Sequence, residues 1–168
     1  MRITFVGRSV LVGTLLMSAG HSAPVTHTQA TGEIGTIRVH LLGHAIGSER
    51  YAIQSDGDAL ALTDTFEFTD RGGRIQLTST LRFTSAFAPL HLRSSGRIYR
   101  FVNVDADVRV DGDRVHVRNL DDSATIALPK TFFAIAGYAP LEGQALLVRY
   151  WETHGRPAKI VTAPGDPT

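Results

Sequence analysis

Residues 59–85 read ALALTDTFEFTDRGGRIQLTSTLRFTS, two runs of alternating apolar and polar residues on either side of Gly72 and Gly73. The apolar positions that share one parity in each run are Leu60, Leu62, Phe66 and Phe68, then Ile75, Leu77, Leu81 and Phe83. A period of two on both sides of a glycine turn predicts a β-hairpin. Each arm runs for about ten residues, longer than the usual strand, so we expect this hairpin to be the spine of a curved sheet.

The alternation continues in both directions from this hairpin. Upstream it predicts strands at residues 37–41 and 48–54, and downstream short strands at residues 115–117 and 124–128. Between them, residues 90–110 form one long alternating run, with a bend or bulge expected at residues 94–96 and at Asn103. About eight sequential strands predict a mainly β (α+β) fold, a curved antiparallel meander, and no parallel β-α-β unit is visible.

One helix is predicted, over residues 140–154. Pro140 is expected at its first position, and Gly155 and Pro157 end it. Its apolar residues cover most of the circumference, which predicts a helix buried on the concave face of the sheet. Trp151 is then either a core plug or part of a ligand pocket. Residues 158–162 begin a further strand that stops at a turn, which predicts that the sheet lacks its last strands.

The first residues differ in character from the rest. Arg2 and Arg8 form a small basic region at the start of the chain. Residues 10–19 are apolar but too few to span a bilayer, and small residues follow them. We therefore predict a signal peptide at residues 1–22, a flexible lead-in at 23–32 and a single β domain at 33–168, exported to the periplasm or the extracellular space. The alternative is an uncleaved N-terminal anchor; after cleavage no membrane span is expected.

Composition restricts the function. The net charge is +1 and charged residues make up 20%, so nothing drives binding to nucleic acid. Hydrophobic residues make up 43%, enough for a folded core. The chain contains no cysteine, which excludes disulfides, thiolate metal sites and cysteine nucleophiles.

The sequence contains no motif for a reaction, a metal or a cofactor. His40, His91 and His116 each alternate with inward apolar residues, so they are expected on the outer face, and no metal-ligand spacing occurs among them. The chain has no nucleophile elbow and no phosphate loop. We predict no catalytic residue, no metal ligand and no cofactor.

Two charged residues interrupt the apolar parity. Asp64 shares the parity of Leu62 and Phe66, and Arg100 shares that of Ile98 and Val102. A charge on the core face is unfavourable unless it is paired. Either these two residues pair with each other, or they mark a polar spot in an apolar cavity, or a bulge turns both outward.

Three stretches carry a resemblance to a known family: residues 65–72 (TFEFTDRG), 132–140 (FFAIAGYAP) and 147–157 (LVRYWETHGRP). They resemble the N-terminal β-rich region that precedes the catalytic barrel in secreted bacterial amidohydrolases of the imidazolonepropionase-like type. The likeness covers most of residues 35–164. In that family a metal-dependent barrel carries the chemistry, and its ligands have no counterpart here. The resemblance therefore implies a non-catalytic accessory domain, whose sheet would continue beyond Pro164 and Gly165.

Two functions follow as expectations. The first is an exported accessory or interaction domain. Its partner would be an amidohydrolase barrel or another protein, and a homodimer would form through an open sheet edge. The second is a periplasmic carrier that holds an apolar or lipid-like ligand between sheet and helix. Its ligand contacts would be Asp64, Phe66, Phe68, Phe83, Arg100 and Trp151. An enzyme acting on its own is the third possibility.

Overall fold

The computed structural model describes residues 2–6, 32–70, 72–98, 102–136 and 140–165. Nine strands form one open antiparallel sheet, each strand pairing with its neighbour in sequence. In order they are β1 (Arg2–Val6), β2 (Glu33–Leu41), β3 (His44–Asp56), β4 (Ala59–Asp70), β5 (Gly73–Phe83), β6 (Pro89–Arg97), β7 (Asn103–Asp111), β8 (Arg114–Asn119) and β9 (Asp122–Ala127). The predicted mainly β antiparallel meander is confirmed, and the sheet is not closed into a barrel.

The central hairpin forms as predicted. β4 has 12 residues and β5 has 11, and their register places Leu62 opposite Leu81 and Phe66 opposite Leu77. These side chains are buried on one face of the sheet, which we call the inner face. Because side chains alternate along a strand, a single parity places all of them on that face.

The long run at residues 90–110 is two strands, and the expectation of one bent strand is wrong. β6 and β7 run antiparallel, with His91 opposite Arg109, and the backbone N–H of Ile98 donates to the carbonyl of Val102 at 2.8 Å. Residues 99–101 lie outside the described residues. Both strands carry their apolar side chains on the same parity, so the alternation does not mark the reversal.

A second layer follows β9. It consists of β10 (Phe132–Ala136), helix α1 (Leu141–Thr153) and β11 (Val161–Gly165). β10 and β11 pair in parallel, with Phe132 opposite Val161, so the connection through α1 is a parallel β-α-β unit. The prediction that no such unit exists is wrong, because β10 is short and continuously apolar and therefore has no alternation to detect.

The helix has one buried face, not burial all round. The buried residues are Glu142, Gly143, Leu146 and Tyr150, whereas Val148 is exposed. Pro140 is the N-cap residue, one position before the predicted one, with ψ at 151° and no side-chain hydrogen bond to the helix.

Trp151 is half-buried and is not a core plug. Its indole Nε1 donates to the carbonyl of Pro157 at 3.1 Å, and the guanidinium of Arg156 lies 5.4 Å from the ring centre. Tyr150 has the plugging role instead, because it is buried and its hydroxyl accepts a hydrogen bond from the N–H of Phe132 at 3.1 Å.

Two apolar clusters lie on the inner face. Cluster one joins the sheet to the second layer through Ile53, Leu62, Leu81, Phe83, Leu92, Val108, Val115, Phe132, Phe133, Leu146 and Tyr150. Cluster two contains Val39, Phe66, Ile75, Leu77, Ile98 and Val104. Most of the apolar face is therefore covered by the protein itself.

Strand β1 lies within the predicted signal peptide. Its residues pair with β2, from Arg2 opposite His40 to Val6 opposite Thr36, and residues 7–31 lie outside the described part of the chain. The signal peptide stays a prediction, and cleavage would remove β1 and free the edge of β2. No helix in the described ranges is long and apolar enough to cross a membrane.

A substitution at Gly96 in β6 tests how closely the central strands are packed. Its φ is +142°, and an added Cβ would lie 2.1 Å from the carbonyl oxygen of Gln76. We expect Gly96→Ala to lower the free energy of unfolding by roughly 2 kcal/mol or more, measured by urea denaturation. Gly57→Ala is the control, because Gly57 has φ +67° but open space around it, and it should cost about 1 kcal/mol. Equal losses would contradict the clash.

Candidate functional site

A row of polar side chains crosses the inner face. Tyr51 lies opposite Asp64, Asp64 opposite Ser79, and Ser79 opposite Ser94, on the adjacent strands β3 to β6. Cluster one lies on one side of this row and cluster two on the other. The row therefore divides the apolar face into two parts.

Glu49 connects this face to the helix. It is fully buried on β3, and its carboxylate accepts the backbone N–H of Leu141 at 2.5 Å and that of Glu142 at 3.0 Å. The first N–H groups of a helix lack partners within the helix, and Pro140 has no side-chain acceptor to offer them. A residue of the sheet thus caps the helix, in a place where the helix dipole also favours negative charge.

Asp64 lies next to this capped helix end. It is 4% exposed, and its Oδ1 accepts no hydrogen bond from any residue that the structure describes. Burial, and then the negative charge of Glu49, raise the pKa of Asp64 from 3.8 to about 8, although a hydrogen bond with Ser79 partly opposes the rise. Asp64 is therefore protonated at neutral pH.

The proton resides on Asp64 because the neighbouring carboxylates have better partners. Burial also raises the pKa of Glu49, but two backbone N–H groups partly oppose that rise. Arg149 lies 3.4 Å from a carboxylate oxygen of Glu142 and 3.8 Å from one of Glu33. Within the described residues Asp64 has neither a helix end nor an arginine, so neutralisation is its least costly state.

These contacts define what the row does. Ser79 and Ser94 share a hydrogen bond of 3.1 Å, and Tyr51 donates to Glu33 at 3.3 Å. Among the described residues, no three histidine or carboxylate side chains are placed to hold a metal ion. The polar row links strands within the sheet, and Glu49 beside it joins the sheet to the second layer.

The sequence-predicted site residues are not brought to one place. Asp64 lies on the core face as predicted, but Arg100 lies outside the described residues, so their pairing stays a prediction. Phe66 and Phe68 contact each other in cluster two, with ring centres 5.4 Å apart.

The remaining predicted ligand contacts lie elsewhere. Phe83 belongs to cluster one and stacks on Phe87 at 6.0 Å. Trp151 lies near the C-terminal end of α1, beside Arg156.

Sequence reasoning missed the other polar residues of the inner face: Glu49, Ser79, Ser94 and Glu142. A signal was present for the first three, because each shares the parity of inward apolar neighbours, as Ser79 does with Leu77 and Leu81. The role of Glu142 had no local signal, since it depends on contact with a strand far away in the chain.

The outer face carries charged side chains across β6 to β9. His91 and His116 lie there as predicted; His91 is 3.2 Å from Asp107, and His116 Nδ1 is 3.0 Å from the hydroxyl of Thr125. An open groove of about 680 Å³ is lined by Asp107, Arg109, Asp111, His116, Val117, Arg118, Ser123, Ala124 and Thr125.

One ion pair borders this groove. Arg118 donates to both carboxylate oxygens of Asp105, each at 2.9 Å. This pairing lowers the pKa of the Asp105 carboxyl below its usual range.

Strand β9 borders the same groove and ends the sheet. Every residue of β9 is exposed, and Ile126 and, just beyond the strand, Leu128 are 39% and 37% exposed. Leu128 donates its N–H to Asp113 of the neighbouring hairpin at 2.7 Å. Backbone groups alternate in direction along an antiparallel strand, so those of Ser123, Thr125 and Ala127 face the free edge.

Natural proteins block such edges with lysine, proline or a bulge. β9 reads DSATIA and has none of these within its length. Within the part of the chain that the structure describes, its edge is therefore open to pairing with another strand.

Comparison of the chain with protein-family models, with curated proteins and with solved structures found no match.

The cap by Glu49 leads to a test by substitution. Glu49→Gln replaces one acceptor oxygen by an N–H donor that would oppose a helix N–H, so we expect a loss of about 1–3 kcal/mol in the free energy of unfolding. Urea denaturation measures it. Glu67→Gln is the control, since Glu67 forms an ion pair with Arg74 on the surface and should change stability much less than Glu49→Gln does. Equal effects of the two variants would exclude the cap.

The proton on Asp64 leads to a pH prediction. The folded pKa is higher than the unfolded value, so between 3.8 and about 8 the folded chain holds a proton that the unfolded chain loses. Stability should therefore fall as pH rises through this window, by up to about 1.4 kcal/mol per pH unit. Asp64→Asn should remove this contribution and be more stable than the unsubstituted protein near pH 8.

Urea denaturation across that pH window measures the slope. Asp105→Asn is the control, because the lowered pKa of Asp105 places its own titration below pH 3.8, so this variant should leave the slope in the window unchanged. An Asp64→Asn protein with an unchanged slope would show that Asp64 is not the titrating group.

Proposed function

We propose that this chain is an exported, non-catalytic interaction domain that binds a protein partner by pairing a strand of the partner with β9. The observation that carries the proposal is the open edge of β9, which is exposed on both faces of the sheet. Backbone pairing at such an edge supplies affinity, and side chains at alternate positions supply selectivity.

The side chains around this edge suit a protein partner. On the inner face, Ala124 and Ile126 lie beside Val115 and Val117 of β8, so a new strand would extend an apolar surface. On the outer face, the groove beside Thr125 offers charged and hydroxyl groups to polar contacts of the partner. A partner strand would thus meet an apolar face and a polar face, as in an ordinary two-layer sheet.

The inner face supports the carrier alternative less well. Phe83 is 1% exposed and Phe66 is 6% exposed, and both contact other side chains of the chain itself. A ligand between sheet and helix would have to displace those contacts and the polar row. The apolar contacts of the inner face already hold the two layers together.

The resemblance to the N-terminal region of secreted imidazolonepropionase-like amidohydrolases supports the same proposal. It suggests an amidohydrolase barrel as one partner, and it implies no catalytic residue in this chain. Export follows from the predicted signal peptide, whose removal would also take β1 away from β2.

Native mass spectrometry of the exported, purified protein tests the proposal. We expect the mass of the processed polypeptide, or a multiple of it, with no additional small molecule. Export without cleavage would give the full-length mass and would support the anchor alternative. A co-purifying apolar molecule that is lost in Asp64→Ala and retained in the surface control Asp105→Ala would overturn the interaction domain in favour of the carrier.

A further inference from the structure

We propose that the strand added to β9 is the β9 of a second copy of this chain, so that the protein is a two-fold symmetric dimer. This inference rests on the proposed interaction function and names the partner. Antiparallel pairing of two identical edge strands is the arrangement that a two-fold axis produces.

The direction of the backbone groups limits the possible registers. The groups of Ser123, Thr125 and Ala127 face the free edge, and residues that exchange hydrogen bonds in an antiparallel pair lie directly opposite one another. The register that uses all three residues of both copies places Thr125 opposite Thr125 of the second copy, and Ser123 opposite Ala127 of the second copy. This pairing offers up to about six backbone hydrogen bonds.

The side chains are compatible with this register. Ala124 lies opposite Ile126 of the second copy on the inner face, so each copy covers part of the exposed Ile126 of the other. Thr125 meets its own counterpart on the outer face, a favourable cross-strand pair. No like charges are opposed along the strand.

The charges at the two ends of β9 favour an antiparallel second copy in particular. Asp121 and Asp122 stand at its beginning, and Lys130 follows its end. All three are exposed, and Lys130 forms no ion pair with the other described residues. Antiparallel pairing places Lys130 of the second copy near the two aspartates, twice in the dimer, whereas parallel pairing would place the aspartates side by side.

The other edge of the sheet has a different character. In the full chain β1 covers β2, and β2 carries Glu33, Arg38 and the half-buried His40 along its length. Charged residues of this kind protect an edge against pairing. Cleavage of the signal peptide would make β2 an edge as well, so the composition of the two strands is what favours β9 as the edge for a second copy.

The first test compares Thr125→Pro with Thr125→Ala. Both variants lose the contact between the Thr125 hydroxyl and His116. Only proline also removes the backbone N–H of residue 125, which faces the free edge. This N–H does not donate to β8, so neither variant breaks a backbone hydrogen bond to that strand. By sedimentation equilibrium we expect a concentration-dependent dimer, on the order of micromolar, for the unsubstituted protein and for Thr125→Ala. Thr125→Pro should dimerise about 100-fold more weakly or not at all.

The second test uses charge at the centre of the pair, and it remains decisive if the proline variant does not fold. Thr125→Lys places two lysines opposite each other, and Thr125→Asp places two aspartates there, so each variant alone should be monomeric. An equimolar mixture should restore a heterodimer, whose affinity falls with added salt. A partner interface elsewhere on the molecule would not be rescued by the mixture.

Two results would overturn the inference. One is an unsubstituted protein that is monomeric at every concentration tested, and the other is a dimer that persists in both Thr125→Pro and Thr125→Lys. Both leave the proposed interaction function intact, because the edge could pair with a different protein. A different result, a bound apolar ligand in the mass spectrum, would contradict the proposed interaction function.

Discussion

The contact between the carboxylate of Glu49 and the N-terminus of α1 fixes how the two layers of this protein are arranged. A helix that begins at a proline cap leaves its first N–H groups without a local acceptor. Buried away from water, those groups need a partner, and the sheet supplies one from a strand more than ninety residues earlier in the chain. The desolvation of Glu49 is partly offset because both the hydrogen bonds and the helix dipole favour its charge.

That charge adds to the effect of burial on Asp64. Burial is the largest cause of the raised pKa of Asp64 and the negative charge of Glu49 the next, whereas the hydrogen bond with Ser79 opposes the rise. The polar row also limits the register of the sheet. A slip of two residues along β4 would keep the inward parity but would place Asp64 opposite Leu77 or Leu81 instead of Ser79. The polar row weakens an otherwise apolar face, but it thereby specifies one register between β4 and β5.

Local patterns in the sequence were sufficient for much of this fold. The period of two assigned the inward faces of β4 and β5, the turn at Gly72, and Asp64 as a polar residue on the core face. The same signal could not show that residues 90–110 reverse direction, because the parity is maintained from β6 to β7. It could not show the parallel pairing of β10 with β11, or the cap by Glu49, because both join segments that are far apart in the chain.

The extent of the second layer explains why a binding surface remains at one end of the sheet. β11 contacts β7 and β8, and Val115 of β8 is the last side chain of the sheet that is buried in cluster one. β9 lies beyond this cover, so its inner residues are exposed while its outer residues line the polar groove. The inner face between Glu49 and Ser94 is occupied by contacts that hold the layers together. The capacity to bind a further chain is therefore concentrated where the second layer ends, at the edge strand that it does not reach.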